Sequence, residues 1–263
     1  VSVEVTEKAL ANQIESDCKS VRLELQSVIR EQIPAGTARD KMIDQVASVQ
    51  FEGIACSALG TFGMVSRWDN LLVPNAFYNP SSNRFTYCNG LGHYNSSLFQ
   101  RYAVIAHELT HSVDPCAFER DGRKFPAPQI VSCLRDNESV GAKKQNKYDP
   151  SKLDPAIAAL GEPLTDCGGG DQIGESFADF MASEVLSRMV LKMKPLTIEQ
   201  KRTGFANTMR FPGECKERNE YDVHPQLRAR IDRIFFANPA IQDEMQCTFA
   251  PTAPKPPRYC GKR

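Results

Sequence analysis

No run of apolar residues in this 263-residue chain approaches the roughly eighteen needed to cross a bilayer, so the chain as given is expected to span no membrane. An excess of one charge is missing too, since 32 Lys and Arg stand against 32 Asp and Glu. With no basic stripe either, the composition argues against nucleic acid as the main partner. Nine cysteines are present, but no two form a Cys-x-x-Cys pair, which removes the usual signature of thiolate metal ligation. Tryptophan occurs once, at Trp68, and the only histidines are 93, 107, 111 and 224. No internal repeat is found.

Against that scarcity of histidine, one segment stands out: His107-Glu108-Leu109-Thr110-His111. Leu98, Tyr102, Ile105 and Leu109 recur at helical spacing, and Ser97 is suited to cap the helix that they predict. Residues four apart share a helix face, so His107 and His111 can offer two imidazole nitrogens to one metal ion. Glu108 then sits where it can act as general base toward water that such an ion activates. This is the pattern of a zinc-dependent peptidase. The bland alternative is a helix carrying two incidental histidines.

Catalytic zinc takes three protein ligands. A third histidine ten residues after the first, with glycine at the seventh, is excluded because those positions are Ala117 and Asp114. The other common solution is a glutamate on a separate helix. Ile173, Phe177, Phe180, Val185 and Met189 predict one over about 172–192, following Cys167-Gly168-Gly169-Gly170. Glu175 near its start is the expected third ligand. Asp179, one turn on, is expected to accept a hydrogen bond from the non-ligating nitrogen of His107. Read alone, both would be acids enriched at a helix N-terminus. Asp114 is a candidate partner for His111.

Four stretches in this order resemble the catalytic half of the neprilysin-type zinc endopeptidases. They are Asn75-Ala76-Phe77-Tyr78, the His107–His111 segment, Glu175-Ser176-Phe177-Ala178-Asp179, and Asp222-Val223-His224 with Arg230 beyond. The likeness covers roughly residues 70–247. It implies a mainly α, α+β zincin-like fold, with a small sheet bordering the cleft beside the active-site helix. It implies one zinc ion on His107, His111 and Glu175, and cleavage of a peptide or protein substrate. Glu108, His224 and Asp179 would be catalytic, His224 by donating to the oxyanion and Asp179 by orienting His107. Asn75, Ala76 and Arg230 would bind substrate, Ala76 through its backbone as if adding a β-strand. His224-Pro225 can also be read simply as a helix start, Arg230 as a solvated charge, and Asn75 as a turn former. The likeness also hints at a Cys133–Cys260 bridge, and at Cys215 or Cys247 reaching back to Cys18.

The chain is too short for the large helical lobe that caps the family's catalytic domain, so a more open cleft is expected. Phe77 stands where the family has tyrosine, and the family's C-terminal tryptophan motif is absent. A zinc-bearing scaffold without turnover, or a zinc amidase acting on cell-wall peptides, are the competing functional readings. Scattered single cysteines read as a disulfide framework, which places the chain in an oxidising compartment, secreted or periplasmic. The whole, 1–263, reads as one catalytic unit: an N-terminal helical part (1–70), a core (70–247) and a Pro-rich extended tail (248–263). Helices are expected at 5–32, 37–50, 97–114, 151–160, 172–192, 196–206 and 225–236, strands within 51–90, and irregular chain over most of 115–170.

Overall fold

A helix buried on nearly every side has to be surrounded, and the segment Ile173–Lys192 is such a helix: every residue from Ile173 to Ser187 is buried. The computed structural model describes residues 3–54, 75–93, 97–139, 172–193, 195–208, 230–246 and 258–262. In chain order their elements are α1 (Val3–Gln32), α2 (Thr37–Ser48), β1 (Gln50–Gly53), β2 (Ala76–Asn79), β3 (Arg84–Tyr87), α3 (Asn89–His93), α4 (Leu98–Thr110), α5 (Pro115–Arg120), α6 (Pro128–Ser139), α7 (Ile173–Lys192), α8 (Ile198–Thr208), a π-helical turn (Arg230–Phe235) and α9 (Pro239–Met245). The architecture is mainly α with one small sheet. No helix among these residues is long and apolar enough to cross a membrane.

α7 is the hub, packing against α4, α1, α6, α5, α9 and the π-helical turn. One hydrophobic cluster runs from Ile14 of α1 through Leu109 of α4 and Phe177 of α7 to Met245 of α9. α4 starts where Ser97 Oγ accepts the Gln100 N–H at 3.1 Å. Its apolar stripe, with Phe99, Ile105 and Leu109, lies in the core. The sheet order is β1-β3-β2, with β3 parallel to β1 and antiparallel to β2. β3 lies in the middle, and Phe85 and Tyr87 are fully buried, so β2 is left as the edge nearest α4.

The region 115–170 is not irregular throughout, because α5 and α6 occupy much of its described part. The α5 start carries a local signal: Asp114 Oδ1 accepts the Ala117 N–H at 2.7 Å, and Pro115 fits the first turn, where no amide partner is needed. α9 begins the same way, at Asn238-Pro239, and has no counterpart among the expected helices. Ile130 and Leu134 put one face of α6 into the core. α3 starts at the end of the stretch expected to hold strands. The helix expected over 225–236 is seen from Arg230 on, wound as a π-helical turn in which the Phe236 amide reaches back to the Ile231 carbonyl at 2.9 Å. His224, Asp222 and the helix expected at 151–160 lie outside the described residues.

The end of the chain is fastened at several points. Cys133 of α6 is bonded to Cys260. Asn137 brackets the same tail, donating to the Arg258 carbonyl at 2.8 Å and accepting the Arg258 amide at 3.2 Å. Its Nδ2 also lies 3.2 Å from the Arg233 carbonyl, so it bridges the tail to the π-helical turn. Tyr259 donates to the buried Glu184 carboxylate at 2.8 Å, which Asn238 and Gln32 also meet. Burial raises the Glu184 carboxyl, although Tyr259, Arg188 and Gln32 oppose the shift. Cys88 and Cys116 are also in disulfides, which fits an oxidising compartment. Cys18 is not bridged to Cys215 or Cys247: it is a free thiol, buried on the inner face of α1. Its neighbours there are helix and core, with Arg22 Nη2 donating to its sulfur at 3.7 Å. Replacing Cys133 and Cys260 together by serine is expected to cost about 2–4 kcal/mol, read from denaturant unfolding.

Candidate metal centre

His107 and His111 lie one turn apart near the C-terminal end of α4, and Glu175 lies in the first turn of α7, which packs across it. Their donor atoms converge. His107 Nε2 is 3.0 Å from Glu175 Oε2, His111 Nε2 is 3.5 Å from Glu175 Oε1, and the two Nε2 atoms are 3.2 Å apart. This group could hold a metal ion.

The outer ring nitrogens fix what the inner ones are. His107 Nδ1 lies 2.9 Å from Asp179 Oδ1, and His111 Nδ1 lies 2.9 Å from Asp114 Oδ2. An ionised carboxylate only accepts, so both Nδ1 atoms carry hydrogen and donate. In the neutral rings each Nε2 is then a lone pair aimed at the other and at Glu175. Three acceptors facing one another in a half-dry cleft repel unless a cation lies among them, and that cation is a proton or a metal ion.

Each carboxylate behind the histidines is itself held. Asp179 is 1 % exposed and takes a bidentate Arg230, with Nε donating to Oδ2 at 2.7 Å and Nη2 to Oδ1 at 2.9 Å. Arg230 is 7 % exposed, at the start of the π-helical turn. Asp114 uses its second oxygen to cap α5. The link between metal site and scaffold is therefore continuous: Arg230 to Asp179 to His107 on one side, α5 to Asp114 to His111 on the other.

Protonation follows this wiring. Burial alone would pull the His107 imidazole down, but Asp179 and Glu175 outweigh it and hold it up at about 9 in the metal-free protein. For His111, burial is again opposed, by Glu175, Asp114 and Glu108, and the ring is raised well above its ordinary value. Burial would lift Asp179, yet Arg230 and His107 keep it far below the usual carboxylate range.

Glu108, whose charge also acts on His111, is held by the sheet, its Oε2 accepting the Tyr78 N–H at 3.0 Å. Ala76 is on β2 as well, and Asn75 Oδ1 accepts the Ala76 N–H at 2.9 Å just before the strand. So His107, Glu108, His111, Glu175, Asp179 and Arg230 lie in one cluster, with Ala76 on the adjoining strand and Asn75 just before it. The Tyr78 amide is a contributor that the sequence reading missed. Its signal was available, because residues two apart on a strand aim their amides the same way and Ala76 was already assigned to that edge. No protein-family model and no curated protein sequence matches the chain.

Two outcomes are expected. Asp179→Asn should weaken metal binding by about 10–100-fold, measured by competition with a chromophoric chelator. The folded His107 value lies above the unfolded one of about 6.5, so in metal-free protein its contribution to stability is complete below that pH and is lost as pH rises through about 9. The melting temperature of chelator-treated protein should therefore fall across that window. Metal, which takes the proton's place, should remove this component of the pH dependence.

Proposed function

We propose that this chain is a secreted or periplasmic zinc endopeptidase of the neprilysin-like kind, cutting peptide or protein substrates. The observation that carries the reading is the convergence of two histidine nitrogens and one glutamate on a single point, with a second glutamate beside it, held by a strand edge. Zinc is the ion that the donors suit best. The two Nε2 atoms lie 3.2 Å apart, close to the roughly 3.3 Å that two ligands of a tetrahedral ion with bonds of about 2.0–2.1 Å span, and one Glu175 oxygen lies beside each of them. Two imidazoles with one carboxylate also favour zinc over the all-oxygen sets of calcium or magnesium. Three protein ligands rather than four are what a catalytic site uses.

Zinc, when bound, supplies Lewis acidity, which polarises a carbonyl and makes water a stronger acid. The protein's own groups do the rest. Asp179 and Asp114 hold both imidazoles in the tautomer that presents Nε2, and Arg230 keeps Asp179 ionised. The Tyr78 amide fixes one Glu108 oxygen, leaving the carboxylate to take a proton from water and return it to the departing amine. An extended peptide laid along β2 would find Ala76 and Tyr78 facing it, which reads main chain rather than side chains. His224 is assigned to the oxyanion by its place in the sequence motif, and Asn75 and Arg230 to the substrate backbone on the same ground.

The test is cleavage of a mixed peptide library by the purified protein, with and without a chelator and with Glu108→Gln in parallel. The expected result is chelator-sensitive cleavage that drops by about 10²-fold or more in the variant. One tightly bound zinc with no cleavage of any peptide would replace this reading with that of a binding scaffold.

A further inference from the structure

A second concavity adjoins the metal centre, and the chemistry proposed above makes no use of it. It is a cavity of about 520 Å³, bounded by α2, the turn joining β2 to β3, and the chain from Ser112 to Arg123. Such a volume falls within the range of ligand-binding pockets. Tyr78 joins the two places, since its amide holds Glu108 while the same residue lines the cavity. That wall is braced: the Tyr78 hydroxyl donates to Asn83 Oδ1 at 2.9 Å, and Asn83 Nδ2 donates to Ser48 of α2 at 2.9 Å. α2 precedes the part of the chain that resembles the peptidase family, so this wall is a feature of this chain.

The charge around the cavity is uneven. Arg123 is paired with Asp121 and lies over the Phe118 ring, 4.3 Å from its centre. Lys41 and Arg120 also line it, with no carboxylate paired to either among the described residues, and Asp44 is the one further acid in the lining. Cations therefore outnumber anions at the wall. Buried Met42 and Phe118 give it an apolar component suited to a side-chain stem.

Strand register gives the direction of approach. Cys88 N–H donates to the Asn75 carbonyl, which makes Phe77 and Asn79 the residues bonded to β3 and turns the backbone of Ala76 and Tyr78 outward. A peptide adding antiparallel at that edge runs from the Pro80 end toward Ala76. Its residues ahead of the bond at Glu108 then pass the mouth of the cavity.

We infer that this cavity is a subsite for an acidic side chain, Asp or Glu, on the N-terminal side of the bond to be cut. The cleavage part of this inference rests on the peptidase reading; the binding part does not. The probe is a set of short fluorescent peptides in which one position at a time is Glu, Gln or Lys. They are titrated against zinc-loaded Glu108→Gln protein, and against the same protein carrying Arg120→Glu or, as a second variant, Lys41→Glu. An unchanged melting temperature verifies each fold.

At one position Glu should bind about three- to tenfold more tightly than Gln, and Lys more weakly than Gln, with the gap shrinking in high salt. Either charge reversal should abolish or invert that order. Equal affinities at every position, no measurable binding, or a preference that neither variant moves would overturn the inference. The unsubstituted enzyme is assayed for cleavage of the same peptides. Charge-dependent binding without any cleavage sinks the peptidase reading and leaves the subsite standing. Cleavage indifferent to charge, or an acidic preference confined to the far side of the cut, does the reverse.

Discussion

Like-facing lone pairs are the constraint around which this molecule is arranged. Two imidazole nitrogens lie 3.2 Å apart, each facing one oxygen of the Glu175 carboxylate at 3.0 or 3.5 Å, all of them acceptors with no hydrogen between them in the neutral tautomer. The protein holds this arrangement by gripping each histidine from behind. The grip on His107 runs through Asp179 to Arg230, and the π-helical turn that carries Arg230 is in turn tied by Asn137 to the disulfide-anchored tail. Elements remote in sequence thus bear on the orientation of one ring. The buried Asp179–Arg230 pair is weak evidence of net stability, because removing two charges from water costs much of what their attraction returns. Its clearer effect is to allow one geometry only.

α7 shows the same preference for definition over simple burial. A helix surrounded on all sides would be most easily built from apolar residues alone, yet this one carries Glu175, Asp179 and Glu184 inside the core. Glu175 and Asp179, one turn apart, serve the metal centre. Glu184 serves the tail, gathering Tyr259, Asn238 and Gln32 from three different parts of the chain. Ser183 and Ser187 turn their hydroxyls back onto carbonyls of their own helix, at 2.7 and 2.9 Å, so they add no unmet polar group. The central helix is therefore both core and wiring.

What could be read from the sequence was whatever is written at short range. The four-residue spacing of His107 and His111, the Ser97 cap and the apolar period of α4 and α7 are local, and the helices lie within a few residues of where that period puts them. α5 and α9 have no counterpart among the expected helices although Asp114-Pro115 and Asn238-Pro239 announce them; α5 lies in a stretch whose prolines, glycines and cysteines suggest irregular chain. The outward amide of Tyr78 follows from strand alternation with Ala76, but its pairing with Glu108, and the cavity walled by α2 and α5, depend on segments brought together only by the fold. The same holds for Cys18. Nine cysteines require at least one without a partner, but nothing in their spacing says that Cys18 is the free one among the described residues.

That odd thiol affects how the molecule fails. While α1 is in place, Cys18 is shut away from solvent, and burial raises its pKa, so almost no thiolate forms. Once α1 peels off, the sulfur recovers ordinary acidity and meets the bridges of Cys88, Cys116 and Cys133, which a thiolate can attack. Each exchange hands the odd sulfur to a new partner and leaves a mismatched bridge behind. The longer the chain stays open above neutral pH, the fewer molecules keep the pairing needed to close again. Loss of structure then becomes a one-way process governed by the rate of opening.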